Sequence, residues 1–573
     1  MANRLKALQV FTILAGVGAV SYFLYFWQWN YSSDTALVGM VARRFLSHGE
    51  LPIFVGRVGY QGLLLEVPMA AALFKIFGSS PSVLDLVPAF FYTLLLLALY
   101  RVVRLSFSPT VGWLSVLFLI LSPPQWYGVV LRSVPNYPQT YLFGLVLFLL
   151  YRKILLKIIS GNRQFVLEAL AFGLLSGFAF YLYGQVIYFF FAMALHASFF
   201  YLRSEYRREQ SLLKVVLPGS KGPRGVLLAL AGIFLIVPFV TANPIPVAGH
   251  NRLDFMICCF LAGLLFAIVH GIQIVRHYGR FLASFTKIAA GVLAVFIVGY
   301  FPKIYYNYIL GLHSDARLSL GGSLSDFLYR VHLLWQAMGE CYGFAEHGAI
   351  YLFMPVFVLG CLLFFMREQF RLLAQFIRGE LPLLHFDRVS FLFCVFWGTL
   401  GPLLASPRFS SLPSQRYAFA LFLPVSLAMA FTVNRIWSSS RDWRRPTIAV
   451  AAAVFLCACA YNFRFVRGDI GRLEGMREIV TQMQKRQVQE GYADYWLATS
   501  LNFLHPEMKL EPLYGNYFPY FEKEAHEAKR IALLDPQDHA QIIDGKVQLY
   551  GNSYRVIEQL LIDGHPVFFL EML

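Results

Sequence analysis

The residues best placed to do chemistry are acids and amides that interrupt apolar sequence. Asp34, in Asn30-Tyr-Ser-Ser-Asp-Thr-Ala36, follows the first long apolar run and precedes the amphipathic run Leu37 to Leu46. A carboxylate there sits at a membrane surface. It can cap the next helix by accepting from free backbone amides, or take a proton from a hydroxyl within hydrogen-bond reach, and one role does not preclude the other. Glu66 lies in the apolar stretch Leu63 to Phe77. An ionisable group facing lipid is costly, so this one is expected to face a cavity or pair with a cation. Tyr60 and Gln61 nearby could hold a polyhydroxylated ligand. Tyr181-Leu-Tyr-Gly-Gln185 separates two apolar runs, so Tyr183 and Gln185 either line the same cavity or form a tight aromatic turn.

The elements that must position these groups are membrane helices. Of 573 residues, 58% are hydrophobic and 14% charged, against about a quarter charged in soluble domains, and the mean hydropathy is +0.58. The chain's solvent is therefore largely lipid. The formal charge of +16 does not call for nucleic acid, because Lys and Arg fall mostly in short loops between apolar runs, where the cytoplasmic side collects positive charge. Six cysteines, Cys258, Cys259, Cys361, Cys394, Cys457 and Cys459, sit inside apolar runs and read as small hydrophobes.

Apolar runs at Leu8–Trp27, Leu84–Tyr100, Val111–Leu121, Tyr141–Leu156, Phe165–Tyr181, Val186–Tyr201, Val226–Val240, Phe255–Val275, Ile288–Tyr300, Ile350–Met366, Val389–Ala405, Ala418–Val433 and Thr447–Asn462 read as about thirteen crossings. Leu63 to Phe77 falls short of the roughly twenty residues a span needs and reads as a juxtamembrane or re-entrant helix. Counting it out keeps Arg101 and Arg104, Arg152 and Lys153, and Arg203, Arg207 and Arg208 on one side, with the first loop opposite. After Asn462 the composition turns to mixed charge, with a helical pattern over Leu473 to Gln489 and strand-like runs at Arg530–Leu534 and Pro566–Leu570.

The expected fold is thus an all-α polytopic membrane bundle with a small α/β C-terminal extracytoplasmic domain. Residues 1–464 form the membrane module, with outer loops at 28–62 and 303–349, and 465–573 the outer domain. The N-terminus is expected inside. The long loop holds His313, Asp315, Asp326, His332, Glu340 and Glu346. Their spacing matches no metal-ligand motif, and no cofactor is called for.

In its order of features the chain resembles the GT-C superfamily of membrane glycosyltransferases, in the bacterial branch of protein O-mannosyltransferases and aminoarabinose transferases. The features are a short N-terminus and first span with an acid soon after it, the stretch Gly59-Tyr-Gln-Gly-Leu-Leu-Leu-Glu-Val-Pro-Met69, Asp85-Leu-Val-Pro88, Gly299-Tyr-Phe-Pro302, Gln415-Arg-Tyr417 and Tyr492-Ala-Asp-Tyr-Trp496. Many relatives carry adjacent acids where this chain has Asp34-Thr35. The resemblance implies transfer of a sugar from a polyprenyl-phosphate carrier to a glycan, lipid or protein acceptor on the outer face, by an inverting reaction with Asp34 as base. A departing lipid phosphate needs cations. Arg416, in the Arg-Tyr pair, is the first candidate, followed by Lys303, Arg132 and Arg408, although each can also snorkel to headgroups. Two other readings are a transporter or flippase of a lipid-linked sugar, which normally shows paired repeats and broken midplane helices, and a noncatalytic assembly protein of envelope glycans.

Overall fold

A computed structural model of the chain describes residues 33–49, 53–54, 62–131, 136–160, 162, 164–209, 281–305, 324–342, 349–382, 390–405, 418–438, 444–462, 470–513, 521–536 and 540–573. The expected spans Leu8–Trp27, Val226–Val240 and Phe255–Val275 lie outside these residues.

Helix α1 (Ser33–His48) and α2 (Glu66–Phe77) precede the bundle. The apolar stripe of α1, with Ala36, Leu37, Val38, Val41 and Ala42 buried, packs on Val67, Ala70, Ala71 and Phe74 of α2. Twelve residues give α2 a length of about 18 Å, well short of the hydrocarbon thickness of about 30 Å.

The bundle follows as α3 (Leu86–Ser106), α4 (Pro109–Ile120), α5 (Pro124–Val130), α6 (Tyr137–Ile159), α7 (Val166–Leu182), α8 (Ile187–Glu209), α9 (Phe281–Ile304), α10 (Leu324–Tyr342), α11 (Ala349–Arg378), α12 (Phe391–Ala405), α13 (Phe422–Trp437) and α14 (Arg444–Asn462). The short helix Pro81–Leu84 that leads into α3, and α4, both start in Ser-Pro pairs. Ser80 accepts from Val83 N at 3.3 Å and Ser108 from Val111 N at 3.2 Å, each followed by a proline where no backbone donor is needed. Among the described residues, Pro81–Ser106 and Ala418–Trp437 are long and apolar enough to cross a membrane by themselves, and six further apolar helices are shorter. The long loop expected at 303–349 instead contains α10. That helix buries Arg330, Leu333 and Ala337 along one side, a spacing of three and four that a search for continuous apolar runs does not register.

Among the described residues, α7 and α9 approach each other backbone to backbone. A Cβ on Gly177 would land on the carbonyl of Phe296, one on Gly299 on the carbonyl of Leu174, and one on Gly173 against Val292. Small residues at this spacing let two membrane helices meet backbone to backbone, and the crossing fixes the last turn of α9, where Lys303 sits.

The C-terminal part contains α15 (Ile470–Lys485), β1 (Glu490–Ala493), α16 (Tyr495–Leu504), β2 (Lys509–Pro512), α17 (Glu522–Glu527), β3 (Arg530–Leu534), β4 (Ile542–Ile543), β5 (Lys546–Leu549), β6 (Asn552–Ile562) and β7 (His565–Met572). They build one sheet in the order β2-β1-β3-β7-β6-β5-β4. Strands β2, β1 and β3 are parallel and the rest are antiparallel. Strand β3 alternates, sending Ala532 and Leu534 to the core shared with α15 and α16, and Ile531 and Leu533 to the opposite core. Asp544-Gly545, Tyr550-Gly551 and Asp563-Gly564 close its three hairpins with positive φ at both turn residues, as two-residue turns of this twist require.

Candidate functional site

Residues 53–54 and 62–64, between α1 and α2, are tied to the start of α6 and the end of α7. Phe54 pairs with Gly62 in an antiparallel bridge, and Leu63 N donates to Ile53 O at 3.1 Å. Gly62 N donates to Leu182 O at 3.0 Å, and Gly62 O accepts from Asn136 Nδ2 at 2.8 Å. The Tyr181 hydroxyl donates to Ile53 O and accepts from Leu64 N at 3.3 Å. Asn136 begins α6 with a left-handed φ of 55°, a conformation asparagine tolerates better than most side chains. Side-chain and backbone bonds together thus replace a regular sheet and hold the loop against the first turn of α6 and the last turn of α7.

Asp34 lies in the first turn of α1 and is partly exposed. Glu66 opens α2 and is fully buried. Lys303, in the last turn of α9, is buried, with its ammonium 4.6 Å from the centre of the Phe54 ring. A cation over an aromatic face in a dry setting gains about 2 kcal/mol or more. The chain that leaves the Asp34-bearing helix α1 thus supplies, in Phe54, the ring that covers the buried cation.

Around the same helix ends lies a neutral polar cluster. Tyr137 and Tyr183 meet edge to face at 5.5 Å, and Tyr141 stacks on Trp126 at 5.9 Å. Both amide atoms of Gln139 and of Gln185, Oδ1 of Asn136 and the hydroxyl of Tyr141 are buried and have no hydrogen-bond partner among the described residues. Unfilled buried polar groups are uncommon because each costs about 1–3 kcal/mol. Aromatic faces beside unfilled amides and hydroxyls match the two-sided surface of a sugar, which has C–H faces and a hydroxyl rim. The connection over Tyr183–Val186 is a tight turn leading into α8.

Of the residues expected from the sequence, Glu66, Tyr183, Gln185 and Lys303 lie at these helix ends, and Asp34 lies on the helix packed against α2. Tyr60, Gln61, Arg132, Arg408 and Arg416 lie outside the described residues. Phe54, Asn136, Tyr137, Gln139 and Tyr141 were not expected. At the opposite end of the bundle Lys153 and Lys157 pair with Glu168 at 2.8 and 2.5 Å. Helix α8, of 23 residues, starts beside the site and ends at Arg207, Arg208 and Glu209. No metal-binding group of three or more His, Cys, Asp or Glu occurs among the described residues.

No protein-family model and no curated protein matches the chain. Among solved structures it is similar to ArnT from Cupriavidus metallidurans bound to undecaprenyl phosphate, with 11% identity over 97% of each chain and a TM-score of 0.44. It is also similar to the oligosaccharyltransferase AglB from Archaeoglobus fulgidus in complex with an inhibitory peptide and a dolichol-phosphate, with 11% identity over 92% of this chain and 70% of that one and a TM-score of 0.47. Against the apo form of the archaeal enzyme the values are 10% identity, 89% of this chain and a TM-score of 0.46, and the chain spans 65% of that enzyme's length.

Proposed function

We propose that this chain is an integral membrane glycosyltransferase that moves a sugar from a polyprenyl-phosphate carrier to an acceptor hydroxyl on the extracytoplasmic face, with about thirteen spans and the C-terminal domain on that same face. The observation that carries the reading is that the chain leaving α1, the helix that bears the Asp34 carboxylate, sets the Phe54 ring 4.6 Å from the buried Lys303 ammonium. In a single displacement Asp34 takes the acceptor proton as the acceptor oxygen bonds to the anomeric carbon. The bond from that carbon to the phosphate oxygen breaks, and its electron pair leaves with the lipid phosphate toward Lys303, with Arg416, Arg132 and Arg408 as further phosphate contacts. Configuration inverts. Gln139, Gln185, Tyr183 and Tyr141 then hold the sugar hydroxyls, together with Tyr60, Gln61 and Glu66.

The test uses full-length protein reconstituted with polyprenyl-phosphate sugars and mixed acceptors. Asp34→Asn is expected to lower transfer by about 10²–10⁴-fold, the range for a lost general base, with the amount of folded protein unchanged. Normal turnover by that variant, or movement of the sugar lipid across the bilayer without transfer, overturns the assignment.

A further inference from the structure

Helix α16 of the C-terminal domain has two differently committed faces. Leu497, Ala498 and Leu501 point into their own domain's core with Ile479, Met483 and Leu510. Phe503, on the same helix, belongs instead to the core of α1 and α2, beside Val38, Val41 and Phe74, and is completely buried there. Its ring lies against Gly39, where any Cβ would land on the ring atoms. The Arg43 guanidinium covers it at 4.4 Å, and Phe74 stacks at 6.1 Å with 28° between the rings. A cation, an aromatic ring and a missing side chain on three sides make a slot shaped for one planar group.

The helix that delivers this ring is fastened at both ends. Asp494 caps its start, accepting from Trp496 N at 2.9 Å. Near its end the Asn502 carboxamide accepts from Leu510 N at 3.0 Å and donates to Leu510 O at 2.7 Å. The Tyr492-Ala-Asp-Tyr-Trp496 segment therefore starts α16 at a fixed place on the sheet, and Phe503 is its rigid tip. On α1, Gly39 is five residues from Asp34, about 7.5 Å along the axis. A ring that fixes Gly39 sets the height and rotation of the turn bearing the carboxylate.

We propose that the C-terminal domain is a positioning device for α1, with Phe503 seated at Gly39 as the contact that holds Asp34 in place. This rests on the proposed role of Asp34 for its effect on turnover, but not for its effect on the helix. Removing the ring takes away the buried contact at Gly39 and leaves α1 to α2, the Pro81–Leu84 turn and what remains of the α16 contact, so that the turn bearing Asp34 is held more loosely. Displacements of about 1 Å at a reacting group can cost about 10²-fold in rate.

The experiment compares full-length wild type, Phe503→Ala and Phe503→Leu by hydrogen exchange and, in reconstituted membranes, by transfer kinetics. Phe503→Ala is expected to speed amide exchange across 36–42 by about tenfold or more, with β3 and β7 unchanged, as expected for local rather than global opening. It is expected to lower kcat by about 10²-fold with donor KM and the shape of the pH profile preserved, since the base itself is still present, and Phe503→Leu should recover part of both. Unchanged exchange in α1, or faster exchange in β3 and β7 to the same degree, overturns the proposal whatever the activity. Faster exchange in α1 with full kcat in a protein that Asp34→Asn inactivates overturns the positioning role. Full activity in Asp34→Asn sinks the base assignment instead and leaves the exchange result to decide this one.

Discussion

Two buried carboxamides separate the two halves of this molecule. Asn502, in the C-terminal domain, uses both ends of its amide on Leu510. Gln139, in the bundle, uses neither among the described residues, although it too is fully buried. A folded domain that gains nothing from an empty polar group fills it. A site that must receive hydroxyls keeps its hydrogen-bonding capacity open and is less stable for it by about 1–3 kcal/mol per group. The pattern extends beyond the pair. Charges on the sheet are matched at the surface, Arg486 with Glu558 and Arg530 and Arg555 with Glu571, whereas Glu66 and Lys303 are taken into the interior.

The sharpest way to break this contrast is to remove both amides. Asn502→Leu strands the backbone donor and acceptor of Leu510, so the C-terminal domain is expected to lose about 2 kcal/mol or more, read from denaturant unfolding followed by Trp496 fluorescence. Gln139→Leu, and separately Gln185→Leu, should leave thermal stability unchanged or higher, because an unfilled polar group is replaced by an apolar one. The same variants should raise donor KM by up to about tenfold per lost hydrogen bond. A loss of stability in Gln139→Leu as large as in Asn502→Leu would make both amides structural and remove the basis for a sugar pocket at α6.

The bundle was legible where its physics is local. Apolar runs gave the helices of the described residues to within a few positions at most ends, because burial in lipid demands continuous apolar sequence. Helices α3, α8 and α11 outrun the expected spans at their polar ends, since Arg and Lys continue a helix past the hydrocarbon. Helix α10 was hidden by its one-sided pattern. The strands Arg530–Leu534 and Pro566–Leu570 were visible as apolar runs, but β4, β5 and β6 were not, although Asp544-Gly545 and Asp563-Gly564 carry a recognised hairpin signal. The site was half legible. An acid after a span and another in an apolar helix are anomalies that a single sequence exposes, as Asp34 and Glu66 do. Gln139 is not anomalous in a helix, and the seating of Phe503 on Gly39 joins residues almost a chain length apart, so only the folded arrangement reveals either. The glycines at 173 and 177 did carry a readable signal, two small residues one turn apart in an apolar run.

The smallest expected effect concerns the satisfied half. Hydrogen bonds from Arg486 hold the Glu558 carboxyl below its ordinary value of 4.5, and those from Arg530 and Arg555 do the same for Glu571. A carboxyl whose pKa is lower in the folded than in the unfolded chain contributes stability that is fully present above the unfolded value, and loses it as pH falls through the folded one. The C-terminal sheet should therefore hold its stability from neutral pH down to about pH 5 and weaken progressively below about pH 4.5. Both pairs are open to solvent and screened by salt, so the loss is modest and shrinks at high ionic strength. Unfolding of the full-length protein, followed through Trp496 between pH 7 and pH 3, should show this slope, and the double variant Glu558→Gln with Glu571→Gln should flatten it. A slope that survives both substitutions would mean that acids elsewhere carry the pH dependence, and that surface pairing on the sheet is not what sets it apart from the bundle.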